Sequence, residues 1–164
     1  MTFLSDWEKP VVKHPLSHDQ AVFNCLHAAS YSEEPRTQVG ALLLASDGHR
    51  WVTGWNHQGK LPGASYDLIH AEEHAIWGAE EAGWSPLGGT LYCTWACCTH
   101  CADKIIAAGI KRVIHWKKCY ENTPSRWRES VSEGLHKLED AGLEVTLADW
   151  APNPQYEYPE IRHN

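Results

Sequence analysis

Residues 90–101 read TLYCTWACCTHC, and four of the chain's six cysteines fall within them. The first half, TLYCT, is a short apolar, β-prone run that predicts a strand. The second half opens a helix predicted from Cys98 to Ala108. Cys98 and Cys101 therefore form a C-x-x-C pair where a strand gives way to a helix. The dipole and free N–H groups of a helix N-terminus favour thiolates, whether for redox chemistry or for metal binding. The pair alone leaves those two uses open.

Outward from this stretch, strand and helix patterns alternate. Downstream, RVIHW (112–116) predicts a strand. A helix from about Pro124 to Ala141 is marked by Trp127, Val131, Leu135 and Leu138 on one face. LEVTLAD (143–149) alternates and predicts the last strand. Upstream, small and apolar residues recur at helical spacing from Ile69 to Ala82, and residues 57–68, with Gly59, Pro62 and Gly63, predict a loop. VGALLLAS (39–46) predicts a buried strand that turns at Asp47-Gly48 into a second strand, RWVTGWN (50–56). Ser17 and Gln20 have capping-box spacing, which opens a helix running to about Tyr31. The later connections are helices long enough to cross over between parallel strands, so an α/β fold is expected: a five-stranded mixed sheet with helices on both faces. Residues 1–16 form an N-terminal extension, 17–150 the domain, and 151–164 a tail with three prolines. No internal repeat or low-complexity segment interrupts this order.

Composition limits the functions open to such a chain. With 164 residues it has the size of one ordinary domain. No apolar run approaches the ~20 residues of a membrane span. MTFLSDWEKP lacks the charged and apolar regions of a secretory signal, so a reducing, cytoplasmic location is expected. There clustered cysteines serve metals or catalysis more often than disulfides. The net charge of −7 argues against a long nucleic acid as partner. A local basic patch for a small anion remains open: residues 111–128 hold Lys111, Arg112, Lys117, Lys118, Arg126 and Arg128 against one acid, Glu121, and Arg36 precedes the first strand. Each of these also fits a solvated face or a subunit contact.

IHAEEHAI (69–76) shifts the balance towards metal. His70 with Cys98 and Cys101 supplies three zinc ligands, leaving the fourth tetrahedral position open as catalytic sites do. Glu72, two residues on, points elsewhere and is placed to act on water rather than on the metal. The same residues also read as an ordinary histidine and a helix-start acid. Their occurrence together, each motif at a predicted strand-to-helix junction, is what favours the site.

H-x-E followed by C-x-x-C resembles the zinc deaminase signature, with Cys97 where the family's pattern has proline. That departure adds Cys97 as a competing ligand to Cys98. Within the zinc deaminases, SEEPRTQVGALLL (32–44), GWN (54–56) and AGIKRVIHWKKCY (108–120) are similar to segments of the deoxycytidylate (dCMP) deaminase family. The resemblance covers about residues 17–148. It implies a three-layer α/β/α sandwich of the cytidine-deaminase type, a homo-oligomer, and a small nucleotide substrate whose cytosine is hydrolysed to uracil and ammonia. It further implies Zn2+ held by His70, Cys98 and Cys101, and proton transfer by Glu72. Asn56, Ala71, Trp95 and Tyr120 would contact the nucleotide, with core packing the other reading of Trp95 and surface exposure that of Tyr120. His74 is expected to be a helix residue and not a ligand. A tRNA adenosine deaminase, a free-base or nucleoside deaminase and a non-catalytic zinc module are the competing functions. The acidic charge weighs against the first, the basic cluster against the second and Glu72 against the third.

Overall fold

The computed structural model describes residues 15–63, 68–150 and 153–162. Most of the expected N-terminal extension, residues 1–14, lies outside them, as do residues 64–67 of the expected loop. Helix α1 (His18–Ser30) begins as the capping box requires. Gln20 N–H donates to the Ser17 hydroxyl at 3.2 Å, and the Ser17 N–H donates to the Gln20 side chain at 2.9 Å. Strands β1 (Gly40–Leu44) and β2 (Trp51–Trp55) form an antiparallel pair, joined by a turn in which Gly48 has φ +79°. Asp47 accepts from the His49 and Arg50 N–H groups there, so the reversal is made by side-chain chemistry as well as by glycine.

After β2 come two features that sequence periodicity did not resolve. The expected loop contains a small antiparallel ladder, β3 (His57–Gln58) with β4 (Leu68–Ile69), so Ile69 belongs to a strand and not to the helix that follows. Helix α2 (Ala71–Glu81) leads to β5 (Thr90–Cys93), α3 (Thr99–Ala107) and β6 (Arg112–Trp116). A further short helix, α4 (Lys117–Glu121), precedes α5 (Ser125–Asp140) and β7 (Glu144–Ala148). The sheet order is β2-β1-β5-β6-β7, with β1 antiparallel to both neighbours and β5, β6 and β7 parallel. This is the expected five-stranded mixed sheet.

Side-chain alternation sorts the core into two layers. Ala41, Leu43, Leu91, Cys93 and Val113 face α2, α3 and α5, where they meet Ala75, Ile105 and Leu138. Leu42, Tyr92 and Ile114 face the other way, onto Val22 and Leu26 of α1 and onto Trp150. β1 is buried along nearly its whole length because it has a paired strand on each side and a helical layer on each face.

Two glycines bring the site elements together. A Cβ on Gly54 of β2 would lie 2.5 Å from the Ala71 carbonyl oxygen and 2.6 Å from the Ala75 nitrogen, so only glycine lets the first turn of α2 rest on the sheet. A Cβ on Gly134 of α5 would strike the Cys97 carbonyl oxygen, so α5 lies directly against the backbone that carries Cys98.

Candidate active site

His70 and Cys98 occupy equivalent places in the fold. Each is the extended N-cap of the helix after it, with φ/ψ of −80°/153° before α2 and −77°/172° before α3. Cys101 lies in the first turn of α3 and is fully buried. The two helix starts therefore converge. His70 Nδ1 lies 3.7 Å from Cys98 Sγ and 3.2 Å from Cys101 Sγ, and the three donor atoms all lie within 4.8 Å of one another. A tetrahedral zinc with ordinary Zn–S and Zn–N bond lengths needs N···S separations of roughly 3.6 Å. The donor set fits that ion in chemistry and in spacing. Cys97 does not join it: its thiol is buried in the core beneath α3, where burial pushes its pKa up. His74 is likewise no part of it, since its Nδ1 accepts from the Trp55 N–H at 3.1 Å.

Charge in the cluster is strongly coupled. Hydrogen bonding from the Cys101 thiol, aided by His70, pulls the Cys98 pKa down to about 4. The neighbouring Cys98 raises His70. A divalent cation bound among these groups would replace protons that they now share. Glu73 braces the arrangement: its carboxylate, almost wholly buried, accepts from the His70 N–H at 3.3 Å and from Lys104 Nζ at 2.6 Å.

Glu72 is buried beside this cluster, and burial pushes its carboxyl up to about 7. Such a group takes and returns protons near neutral pH, the range a general acid–base needs.

A cavity of about 260 Å³ opens beside the triad. Asn56, His70, Ala71, Glu72, Trp95 and Cys98 all line it, so six sequence-derived candidates share one cavity. Trp95 is held there by its indole N–H, which donates to the Thr123 hydroxyl at 3.3 Å. Asn56 uses its side chain to shape the wall, donating to the Thr37 carbonyl at 2.9 Å and accepting from the Val39 N–H at 2.8 Å. Tyr120 does not line the cavity; it packs behind the wall with Ala96, Val131 and Leu135.

The basic cluster also divides. Arg126, together with Arg36, lines the cavity. Arg112 pairs with Glu144 at 2.8 Å, Lys118 lies over the Trp116 ring, and Arg128 donates to the Thr123 carbonyl. Trp127 shares the helix face of Val131, as its spacing implied, but at the end of the helix that meets the cavity. It is 49% exposed and lines the cavity, because the first turn of α5 overhangs the opening while Val131, Leu135 and Leu138 carry the packing. Glu34, Thr37 and Leu68 also line the cavity; Glu34 and Thr37 fall in the 32–44 segment that resembles the dCMP deaminases but were not singled out individually.

The model of the cytidine and deoxycytidylate deaminase zinc-binding region matches residues 16–117, more than half of the chain. The chain belongs to this family. It is a deaminase of the cytidine and deoxycytidylate superfamily, whose members are hydrolytic enzymes. An uncharacterized deaminase of Aliivibrio fischeri, from the luxG 3' region, is 32% identical over 138 residues, covering 75% of this chain and 85% of that protein. The riboflavin biosynthesis protein RibD of Aquifex aeolicus is 35% identical over 120 residues, which are 69% of this chain but only 29% of RibD. Among solved structures, the dCMP deaminase of the cyanophage S-TIM5 superposes with a TM-score of 0.60 at 23% identity over 78% of this chain and 94% of that one. That likeness places the sheet and its helices in the cytidine-deaminase type of fold.

Proposed function

We propose that this deaminase acts on the cytosine of a small nucleotide, converting dCMP to dUMP and ammonia. One observation carries the reading: a single cavity joins the His70, Cys98 and Glu72 group to two guanidinium side chains, Arg36 and Arg126, against one carboxylate, Glu34. A base with a phosphate attached suits such a cavity, since arginine forks match phosphate oxygens. The similarity of residues 32–44 and 108–120 to dCMP deaminase segments supports the same substrate.

In this reading His70, Cys98 and Cys101 would hold Zn2+, which would supply the Lewis acidity that makes water a nucleophile near neutral pH. Glu72 takes one proton from the attacking water and delivers it to N3 of the cytosine as C4 is attacked. It then takes the second proton from the new C4 hydroxyl and gives it to the amine, so that the C4–N bond breaks, ammonia leaves and the C4 carbonyl remains. Trp95, Leu68 and Val39 exclude bulk water from the ring, and Asn56, its amide bound to Thr37 and Val39, shapes the wall beside it. Arg36 and Arg126 take the phosphate. A second reading has its own support in the identity to RibD. A phosphoribosylaminopyrimidine, the compound named for the deaminase of Thermotoga maritima that shares this fold, also carries an amino-pyrimidine and a phosphate and would use the same groups.

The test is ammonia release by the purified protein from dCMP, dCTP, deoxycytidine, a tRNA anticodon stem and a phosphoribosylaminopyrimidine. The expected order puts dCMP first, with deoxycytidine at least about tenfold lower in kcat/KM for want of a charged contact. Equal rates on dCMP and deoxycytidine would remove the phosphate from the reading. Turnover of the phosphoribosyl compound alone would replace the substrate.

A further inference from the structure

One side of the cavity, residues 34–39, belongs to no helix and to no strand of the main sheet until Gly40. It carries Glu34, Arg36, Thr37 and Val39 to the opening. From within, Asn56 fixes Thr37 and Val39, as described above. From outside it is held by residues more than 120 positions away in sequence. The Gln38 N–H donates to the Arg162 carbonyl at 2.7 Å, and the Arg162 N–H donates to the Gln38 side-chain oxygen at 2.7 Å. The Arg162 guanidinium then closes on the same segment, with Nε and Nη2 donating to the Glu34 carbonyl at 3.2 and 2.9 Å. Gln38 is 5% exposed, and its amide nitrogen donates onward to the Ser32 carbonyl at 3.0 Å.

The chain around Arg162 is itself anchored. Tyr156 stacks on Phe23 of α1 at 5.0 Å, Tyr158 meets the same ring edge-on at 5.9 Å, and Ile161 packs with Leu26 and Trp150. Residues 156–162 thus run from the back layer of the sandwich to the cavity's rim. Two guanidinium hydrogen bonds to one carbonyl and a reciprocal pair with a buried glutamine exceed what is needed to keep a tail in place. They fix the backbone that bears Arg36.

We infer that Arg162 is a positioning residue: it holds the 34–38 wall so that Arg36 meets the substrate's phosphate, and so sets affinity for the phosphorylated substrate without touching it. This rests on the reading of Arg36 as a phosphate contact. Loss of the guanidinium leaves the triad, Glu72 and Trp95 in place. It releases only the wall.

The experiment compares wild type, R162A and R162K, each with steady-state kinetics on dCMP and deoxycytidine and with hydrogen exchange of the amides of residues 34–39. R162A is expected to raise KM for dCMP about threefold to tenfold, the effect of one or two net hydrogen bonds, with kcat within about twofold. KM for deoxycytidine should stay put, and exchange at 34–39 should quicken. R162K, which keeps one donor, should fall between. Unchanged exchange in R162A overturns the inference, and so does quickened exchange with an unchanged KM for dCMP. An equal rise in KM for both substrates overturns the route through Arg36. If wild type turns over no cytosine nucleotide, the substrate reading falls, and the strap stands or falls on the exchange alone.

Discussion

The cavity's two sides are built on different principles. The reacting side comes from two helix starts, α2 and α3, pressed onto the sheet through Gly54 and under α5 through Gly134. Its donor atoms lie within 31 residues of one another in sequence and are buried or half-buried. The recognition side comes from segments far apart in the chain: residues 34–39, Leu68, and the Pro124–Trp127 overhang, with Arg162 behind the first of them. On the proposed reading, chemistry is held by the buried core and selection by its margins. Substitutions on the reacting side should change whether turnover occurs, and those on the recognition side should change which substrate is taken.

The sharpest way to break that division is through the metal ligands. Cys98→Ala and Cys101→Ala should each lose the zinc, measured by metal analysis of the purified protein, and with it all turnover. Cys97→Ala should keep one zinc per chain, since its thiol faces the core. Zinc lost from Cys97→Ala but retained in Cys98→Ala would shift the ligand register by one residue.

Next in size is Glu72→Gln. It preserves shape but accepts no proton from water, so kcat should fall by about 10²–10⁴ while zinc content and melting temperature hold. A rate near wild type would assign the proton transfers to another group.

On the recognition side, Arg126→Ala should raise KM for dCMP about tenfold with little change in kcat, the loss of a charged hydrogen bond. A fall in kcat with unchanged KM would mean that α5's overhang belongs to the reacting side after all. That outcome would dissolve the comparison.

The same division governs what could be read from the sequence. H-x-E and C-x-x-C were legible because ligands on helix starts sit at fixed short spacings, and the capping box of α1 works over three residues. The ladder β3–β4 is two residues per strand, too short for any alternation to register. Helix α4 follows β6 without a break and spans five residues, so KKCYE offered no period. The spacing of Trp127 to Val131 and Leu135 placed it on the apolar face of α5 but could not tell which end of that face is buried: the ring is 49% exposed and lines the cavity. Charge counting found Arg36 and Arg126 among seven basic candidates but had no means of separating them from Arg112 or Lys118. Tyr120 was drawn in by family likeness, and it packs behind the wall instead.

The smallest expected effect on turnover concerns the sheet on which both sides stand. His115 of β6 is fully buried, and among the described residues neither ring nitrogen has a hydrogen-bond partner. Burial lowers its pKa to about 3, so the folded protein keeps it neutral where an unfolded chain protonates it near 6.5. Between those values the unfolded state binds more protons, and stability rises with pH. The contribution is therefore fully present above about pH 6.5 and is lost at about 1.4 kcal/mol per unit as pH falls towards 3. At pH 4.5 that amounts to roughly 3 kcal/mol. Other groups, the metal ligands included, also titrate in this window, so wild type alone does not isolate the effect. His115→Leu keeps similar volume and removes both unpartnered nitrogens, and urea unfolding of the two proteins at pH 7 and pH 4.5 cancels what they share. The variant should lose less stability on acidification by about that amount, with kcat and KM at pH 7 unaltered, because the side chain is buried in β6 and does not line the cavity. Identical acid sensitivity in the two proteins would show that His115 finds a partner in solution and carries no acid penalty.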